Sequence, residues 1–349
     1  MPVSLAILGA GIFAREEYIP AINSLSVVEL KAVYSRSSKS AEALAAQSES
    51  NADIYYDSPS AAGKSVDDLL KRSDIDAVII CVPILAQPEL IRKAMKAGKH
   101  VLSEKPIAKD VATAEELIRW REASSIKSIW AIGENFRFIG PVVCGHSKLK
   151  EIGGQVTTFS MNLFALVDEN DKFYQTEWRK TPEYQGGFLL DGGVHFVAGV
   201  RHLLSAVGED ISSLAAYTAL LEPKLAPVDT VHGILRTTSG RSGSFNVSFG
   251  TEFKGGFEIF AATNKGSVTV TPVSVKVVRK DADGKKVEEE ESFAFGAGVK
   301  SEVEAFAASI VSGTPDPRQS PQQALGDLIV LQGLLESGEQ KGAVKAVKL

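Results

Sequence analysis

The stretch "VSLAILGAGIFA", residues 3–14, decides the reading of the fold. It opens as an unbroken apolar run, which is what a strand buried on both faces requires. The run then breaks at glycine, and Gly9-Ala10-Gly11-Ile12-Phe13-Ala14 fits the G-x-G-x-x-G/A fingerprint, with Ala14 as the third small residue. Gly9 permits a tight turn, Gly11 lets the backbone approach a pyrophosphate, and Ala14 lets the following helix pack close to the strand. The free N–H groups and dipole at the start of that helix favour an anion. A packing turn between strand and helix is the other reading of the same residues.

Outward from this loop, strand-like and helix-like stretches alternate to about residue 135. Strands read at "ELKAVYS" (29–35), "DAVIICV" (76–82), "HVLSE" (100–104) and "SIWAIGEN" (128–135). Helices read at 40–49, 88–98 and 112–125, the second closed by glycine. This alternation predicts a parallel α/β unit. After about 140 the texture changes. "GQVTTFSMNLFAL" (154–166) alternates with period two, and similar runs recur between 212 and 293. Asp283-Gly284 signals a hairpin, and Glu288–Glu291 reads as a solvated edge strand. Helical stretches at 300–313 and 320–338 close the chain. The expected architecture is an α/β Rossmann domain with a doubly wound parallel sheet over 1–138, then an α+β domain with a large, mostly antiparallel open sheet over 139–349.

Composition narrows the function classes. The 349 residues are 44% hydrophobic and 23% charged, with a net charge of −5. An acidic chain is a poor match for nucleic acid. Two cysteines, Cys81 and Cys144, do not make a disulfide framework, and they suit a reducing compartment. No apolar run approaches the ~18 residues of a membrane span. The N-terminus has no charged segment or cleavage pattern ahead of its glycines. A cytoplasmic protein is expected. His100, His146 and His232 have no ligand-like partner spacing, so no metal site is expected.

Three further features carry chemistry. At the end of the second strand an Asp or Glu would bind the ribose of NAD, but the text is "VYSRSSKS". Ser35, Arg36 and Lys39 suit a 2′-phosphate, which an acid would repel, so NADP is favoured over NAD. A surface arginine is the bland alternative. In "HVLSEKPIAKD" (100–110), Lys105 leaves a buried strand and is followed at once by Pro106, which narrows its directions. In "YQGGFLLDGGVHFVAGVRHLL" (184–204), Asp191 and His195 are four apart, so on a helix they share a face. Asp191 is expected at or near the helix start, where a carboxylate is favoured. Histidine is the side chain suited to proton transfer near neutral pH, whereas His202 reads as packing.

Taken together, Gly9-x-Gly11-x-x-Ala14, Glu104-Lys105-Pro106 and Asp191-x-x-x-His195 resemble the glucose–fructose oxidoreductase/inositol dehydrogenase (Gfo/Idh/MocA) family, in order and spacing over nearly the whole chain. "GENFRF" (133–138) and "EWR" (177–179) are similar to family segments, and the text most resembles the fungal NADP(H)-dependent branch. The resemblance implies hydride transfer between a nicotinamide and a small carbonyl or alcohol. Lys105 would polarise the substrate oxygen, His195 would be the acid/base, and Asp191 would orient His195 or grip a substrate hydroxyl. The implied cofactor contacts are Gly9, Gly11, Ile12, Phe13, Ser35, Arg36, Lys39, Pro83, Glu104, Lys105, Asn135, Trp178 and Arg179. It also implies a homo-oligomer, dimer or tetramer, built on the open sheet. One departure matters: in "CVPILAQPE", Ile84 and Gln87 follow Pro83 where the family commonly has Pro-Asn and then histidine. Gln87 hydrogen-bonds but does not titrate, which weakens the case for a sugar-like substrate. Phe164, Phe173, Tyr174 and Trp178 could line a cleft for an apolar or aromatic carbonyl, or equally pack in a core. Two other readings are a non-catalytic NADP-binding regulator of the corepressor type and an NAD-dependent glycosidase. The first would not need Lys105, Asp191 and His195; the second fits poorly with Ser35/Arg36 and Gln87.

Overall fold

The computed structural model describes residues 1–58 and 62–349. Its contacts divide the chain into two compact units, Met1–Asn135 with Ala297–Leu325, and Phe136–Gly296 with Gly326–Leu349.

The first unit holds six strands: β1 (Val3–Leu8), β2 (Val28–Ser35), β3 (Asp53–Tyr56), β4 (Ala77–Ile80), β5 (His100–Glu104) and β6 (Trp130–Gly133). They hydrogen-bond in the order β3-β2-β1-β4-β5-β6, every pair parallel. That is the doubly wound order, which reverses between β1 and β4 and opens a crevice at their carboxyl ends. The apolar runs of β1 and β4 are consistent with this: Leu5, Ile7, Leu8 and Ala77 through Ile80 are wholly buried. β3 and the helix Val66–Leu70 are not foreshadowed by the sequence reading. β3 is a short outer strand with an exposed first residue, so it lacks the apolar run that marks its neighbours. The helix is only five residues long and is fixed by a Ser65/Asp68 capping box.

Residues 297–325 sit apart from the rest of the expected second domain. The helix Val299–Ser312 buries Val299, Val303, Phe306 and Ala307 in the same apolar cluster as Leu5, Ile7, Tyr18 and Val33. Those positions form one helical stripe. The stripe does not say which sheet it will cover, and it covers the first.

The second unit contains β7 (Val156–Phe164), β8 (Ile211–Ala219), β9 (Thr230–Thr237), β10 (Ser242–Ser248), β11 (Gly256–Thr263), β12 (Gly266–Val270), β13 (Ser274–Lys280), β14 (Lys286–Ser292) and β15 (Lys345–Ala346). They form one sheet ordered β14-β13-β12-β11-β7-β10-β9-β8-β15. β7 and β10 are parallel and the other pairs antiparallel. The Asp283-Gly284 turn joins β13 to β14, with Gly284 at φ +79. β14 is an edge, and its Glu288 and Glu289 face Lys276 and Arg279 across the hairpin.

The helices Gly140–Ile152 and Gly187–Ser205 pack on one face of this sheet. The first was not anticipated; it starts with Pro141 in its first turn, where the missing N–H costs nothing. Beneath them lies a buried ion network. Asp327, 1% exposed, accepts two bonds from Arg137 Nη2 at 2.6 and 2.8 Å and one from Arg201 Nη1 at 2.6 Å. Arg201 also forks onto Asp210 at 2.8 and 3.0 Å.

Candidate active site

In the first unit the glycine loop lies where β1 ends. Gly9 has φ +113, and a Cβ there would stand 2.1 Å from the carbonyl oxygen of Cys81. Both backbone conformation and the neighbouring chain at the end of β4 therefore demand glycine. Gly11 differs: its φ is ordinary and a Cβ would meet no atom within 4 Å. The protein's own packing does not require glycine at 11, whereas the close approach of a dinucleotide does, so the loop fits such a ligand. Ala14 is wholly buried, as close helix–strand packing requires. The helix over 12–23 is wound as a π-helix at Ala14–Tyr18, a distortion frequent at functional sites. Arg15 reaches back to the carbonyl of Ala10 at 2.9 Å and braces the loop, while Ile12 and Phe13 are half-buried.

Ser35 is the last residue of β2, and Arg36 and Lys39 are exposed just beyond it. Ser37 caps the next helix, accepting from the N–H of Ser40. The neighbouring Tyr34 hydroxyl donates to Asp57 at 2.7 Å. Burial, then the bond to Asp57 and its charge, push that phenol above its usual range, and Arg36 opposes the shift.

Pro83 precedes a turn of 3-10 helix, Ile84–Ala86. Gln87 is 1% exposed, and its amide nitrogen donates to the carbonyl of Val82 at 3.4 Å. It is therefore a buried residue tied to the backbone through its amide nitrogen, while its buried Oε1 has no partner among the described residues. β5 ends at Glu104, followed by the half-buried Lys105 and a cis Lys105–Pro106 peptide. Glu104 is itself buried and accepts the Tyr18 hydroxyl at 2.7 Å. Asn135 is also buried, and its amide donates to the carbonyl of Ala297 at 2.7 Å.

In the second unit Asp191 is the fifth residue of the helix Gly187–Ser205, a turn inside it, and buried. It accepts Arg179 Nε at 2.8 Å. The guanidinium in turn lies 3.9 Å over the Trp178 ring and 5.3 Å from the Phe173 ring. Tyr184 faces the same pair: burial, then the Asp191 charge, raise its phenol above the usual range, with Arg179 opposing. His195 lies one turn after Asp191, half-buried, and stacks on Phe136 with centroids 4.6 Å apart and an interplanar angle of 16°. Phe196 and Phe257 meet the Phe136 ring edge-on. The four-residue spacing of Asp191 and His195 is thus realised on a helix, but the carboxylate has an arginine partner that the spacing did not suggest. Phe164, Phe173, Tyr174 and Trp178 are all half-buried, with the Lys254 ammonium 4.2 Å over Phe164. His202 stacks on His146 at 4.5 Å. Among the described residues no three His, Cys, Asp or Glu side chains gather to hold a metal, and neither Cys81 nor Cys144 is in a disulfide. No helix among them is long and apolar enough to cross a membrane.

Residues 3–127 match the model of an oxidoreductase family with an NAD-binding Rossmann fold, and residues 150–346 match that family's C-terminal alpha/beta domain. The dehydrogenase FPY6 of Fusarium mangiferae is 49% identical over 346 residues, 99% of each chain. A D-xylose 1-dehydrogenase (NADP(+)) of Haloferax volcanii is 25% identical over 97% of this chain and 98% of its own. Among solved structures, an oxidoreductase from Thermotoga maritima superposes with a TM-score of 0.85 at 30% identity, covering 99% of both chains.

Proposed function

Because the chain belongs to the Gfo/Idh/MocA family of oxidoreductases, we propose that it is an NADP(H)-dependent enzyme acting on a small carbonyl compound or the matching alcohol. The observation that carries the cofactor assignment is the end of β2. Ser35 and an exposed Arg36 stand where an acid would bind the ribose of NAD, with exposed Lys39 one turn on. A guanidinium suits a 2′-phosphate. The relative from Haloferax volcanii, an NADP(+) enzyme, supports the same reading. Gly9, Gly11, Ile12 and Phe13 would hold the pyrophosphate side, and Pro83, Asn135, Trp178 and Arg179 are proposed as further contacts. Glu104, turned toward Tyr18, would contribute through Lys105.

The nicotinamide, when bound, supplies or accepts the hydride. The residues of this chain then handle charge and proton. Lys105 hydrogen-bonds the substrate oxygen and stabilises negative charge developing on it. His195 gives that oxygen its proton in reduction and removes it in oxidation. Asp191, paired with Arg179, fixes the helix turn that carries His195. The aromatic setting of His195 and the capture of Asp191 by an arginine favour a substrate with an apolar or aromatic portion over a polyol. Two cysteines outside any disulfide suit a cytoplasmic enzyme.

Arg36→Ala tests the cofactor assignment. It is expected to weaken NADPH by about 10- to 100-fold, the worth of a hydrogen bond to a charged group, while NADH binding stays unchanged. Equal weakening of both in a fluorescence titration contradicts the assignment.

The same reading makes the protein a homo-oligomer. The sheet face opposite the helices carries Ile234 and Tyr217, 54% and 67% exposed, and a shallow depression of about 410 Å³ bordered by Ser160, Ser244 and Phe260. Light scattering is expected to give a dimer or tetramer; a monodisperse monomer contradicts this.

A further inference from the structure

Glu302 is wholly buried, yet no partner donates a hydrogen bond to either carboxyl oxygen. It lies on the helix Val299–Ser312, packed in the first unit. A Cβ placed on Gly133 would stand 3.5 Å from Glu302 Oε2 and 3.0 Å from the Tyr18 hydroxyl, so both groups converge on the small space that glycine leaves. The Tyr18 hydroxyl has one hydrogen and gives it to Glu104 Oε1 at 2.7 Å. Its oxygen lone pairs are left to accept. Tyr18 comes from the π-helical turn after the glycine loop, Glu104 from the residue before Lys105, and Glu302 from the far end of the sequence.

We infer that Glu302, Tyr18 and Glu104 form a directed hydrogen-bond chain in which a protonated Glu302 donates to Tyr18, Tyr18 donates to an ionised Glu104, and the chain so fixes the end of β5 from which Lys105 departs. Glu302 and Tyr18 are positioning residues, and their catalytic significance rests on the role proposed for Lys105. The chain resolves the buried, unpartnered carboxyl without introducing a second buried anion. The groups around it agree with that distribution of protons. Burial, and then the charges of Glu104 and Glu134, hold the Glu302 carboxyl well above the usual glutamate range, with the nearby Tyr18 hydroxyl opposing. Burial, with Glu104, Glu302 and Cys81, raises the Tyr18 phenol above its own usual range, so both shifts favour the protonated form. The Gln319 side-chain amide donates to the backbone carbonyl of Glu302 at 3.1 Å, not to its carboxyl.

Two measurements on the full-length protein test this. The first is trace acetylation of Lys105 near neutral pH, read by mass spectrometry, which reports how firmly the amine is held without needing a substrate. In Tyr18→Phe and Glu302→Leu the end of β5 loses its brace, and acetylation of Lys105 is expected to rise about threefold or more. In Glu302→Gln the amide still donates to Tyr18, and acetylation is expected to stay. No rise in Tyr18→Phe, or an equal rise in Glu302→Gln, overturns the chain. The second is melting temperature against pH for Glu302→Gln, a variant that keeps the shape of the neutral acid. A carboxyl raised in the folded state contributes stability that is complete below the usual carboxylate range and is lost as pH rises toward its folded value. The variant should therefore gain on the wild type steadily from about pH 5 upward. A constant offset at every pH overturns the placement of the proton. Failure of the catalytic reading looks different: turnover surviving in Lys105→Met would remove the role of the lysine and leave its dependence on the chain intact.

Discussion

Lys105→Met is expected to lower turnover by about 10²-fold to 10³-fold or more, with NADPH affinity within about threefold of wild type. Methionine keeps the length and apolar stem of lysine and removes the ammonium. If that ammonium stabilises charge developing on the substrate oxygen, its loss raises the barrier of the chemical step and leaves the ground-state complex with the cofactor nearly unchanged. The structure makes the substitution clean in one respect. Lys105 follows the buried Glu104, whose carboxylate keeps its Tyr18 donor when the lysine charge is removed. The alternative assignment, Lys105 as an anchor for the cofactor, predicts the opposite division, with binding lost first. Parallel titration and turnover assays separate the two, and a large loss of NADPH binding contradicts the catalytic role.

Asp327→Asn is expected to cost about 3–5 kcal/mol of folding stability, the largest loss we foresee for any change outside the proposed site. Its carboxylate receives Arg137 and Arg201 from elements 190 and 126 residues away in sequence, at 2.6–2.8 Å, with every partner side chain at most 5% exposed. The substitution keeps the shape but leaves two guanidinium groups inside the protein with too little countercharge. Asp210 compensates Arg201 in part and Arg137 not at all among the described contacts. Glu289→Gln is the control: it removes an exposed pair on the edge hairpin and should leave the denaturation midpoint unmoved. A loss below about 1 kcal/mol in Asp327→Asn contradicts the structural role given to the network.

What could be read from the sequence was local. The apolar run into Gly9 and Gly11, the alternation of strands and helices, the Asp283-Gly284 hairpin and the helix at 300–313 are all set by spacing within a few residues. The candidate residues Lys105, Asp191 and His195 stood out for the same reason: an unusual residue beside a proline, and an i, i+4 pair in a glycine-rich lead-in. What could not be read was the choice of partner across the chain. Arg179 is twelve residues from Asp191, and nothing in either segment marks them as a pair. Phe136 stacks on His195 although a helix and a strand of the sheet lie between them in sequence. Tyr18 and Glu104 are 86 apart. Gln87 looked available from its place after Pro83, but its burial could be found only once its surroundings were packed. The grouping of 297–325 with the first unit is the same kind of information, since an amphipathic helix carries its apolar face but not the address of the sheet that will accept it.

The most direct test of the account is a side-by-side fluorescence titration of the purified protein with NADPH and NADH. The account predicts saturable binding of NADPH at least about tenfold tighter than NADH, through the 2′-phosphate at Ser35 and Arg36. Tighter binding of NADH would contradict the cofactor assignment, and binding of neither would contradict the enzyme reading as a whole.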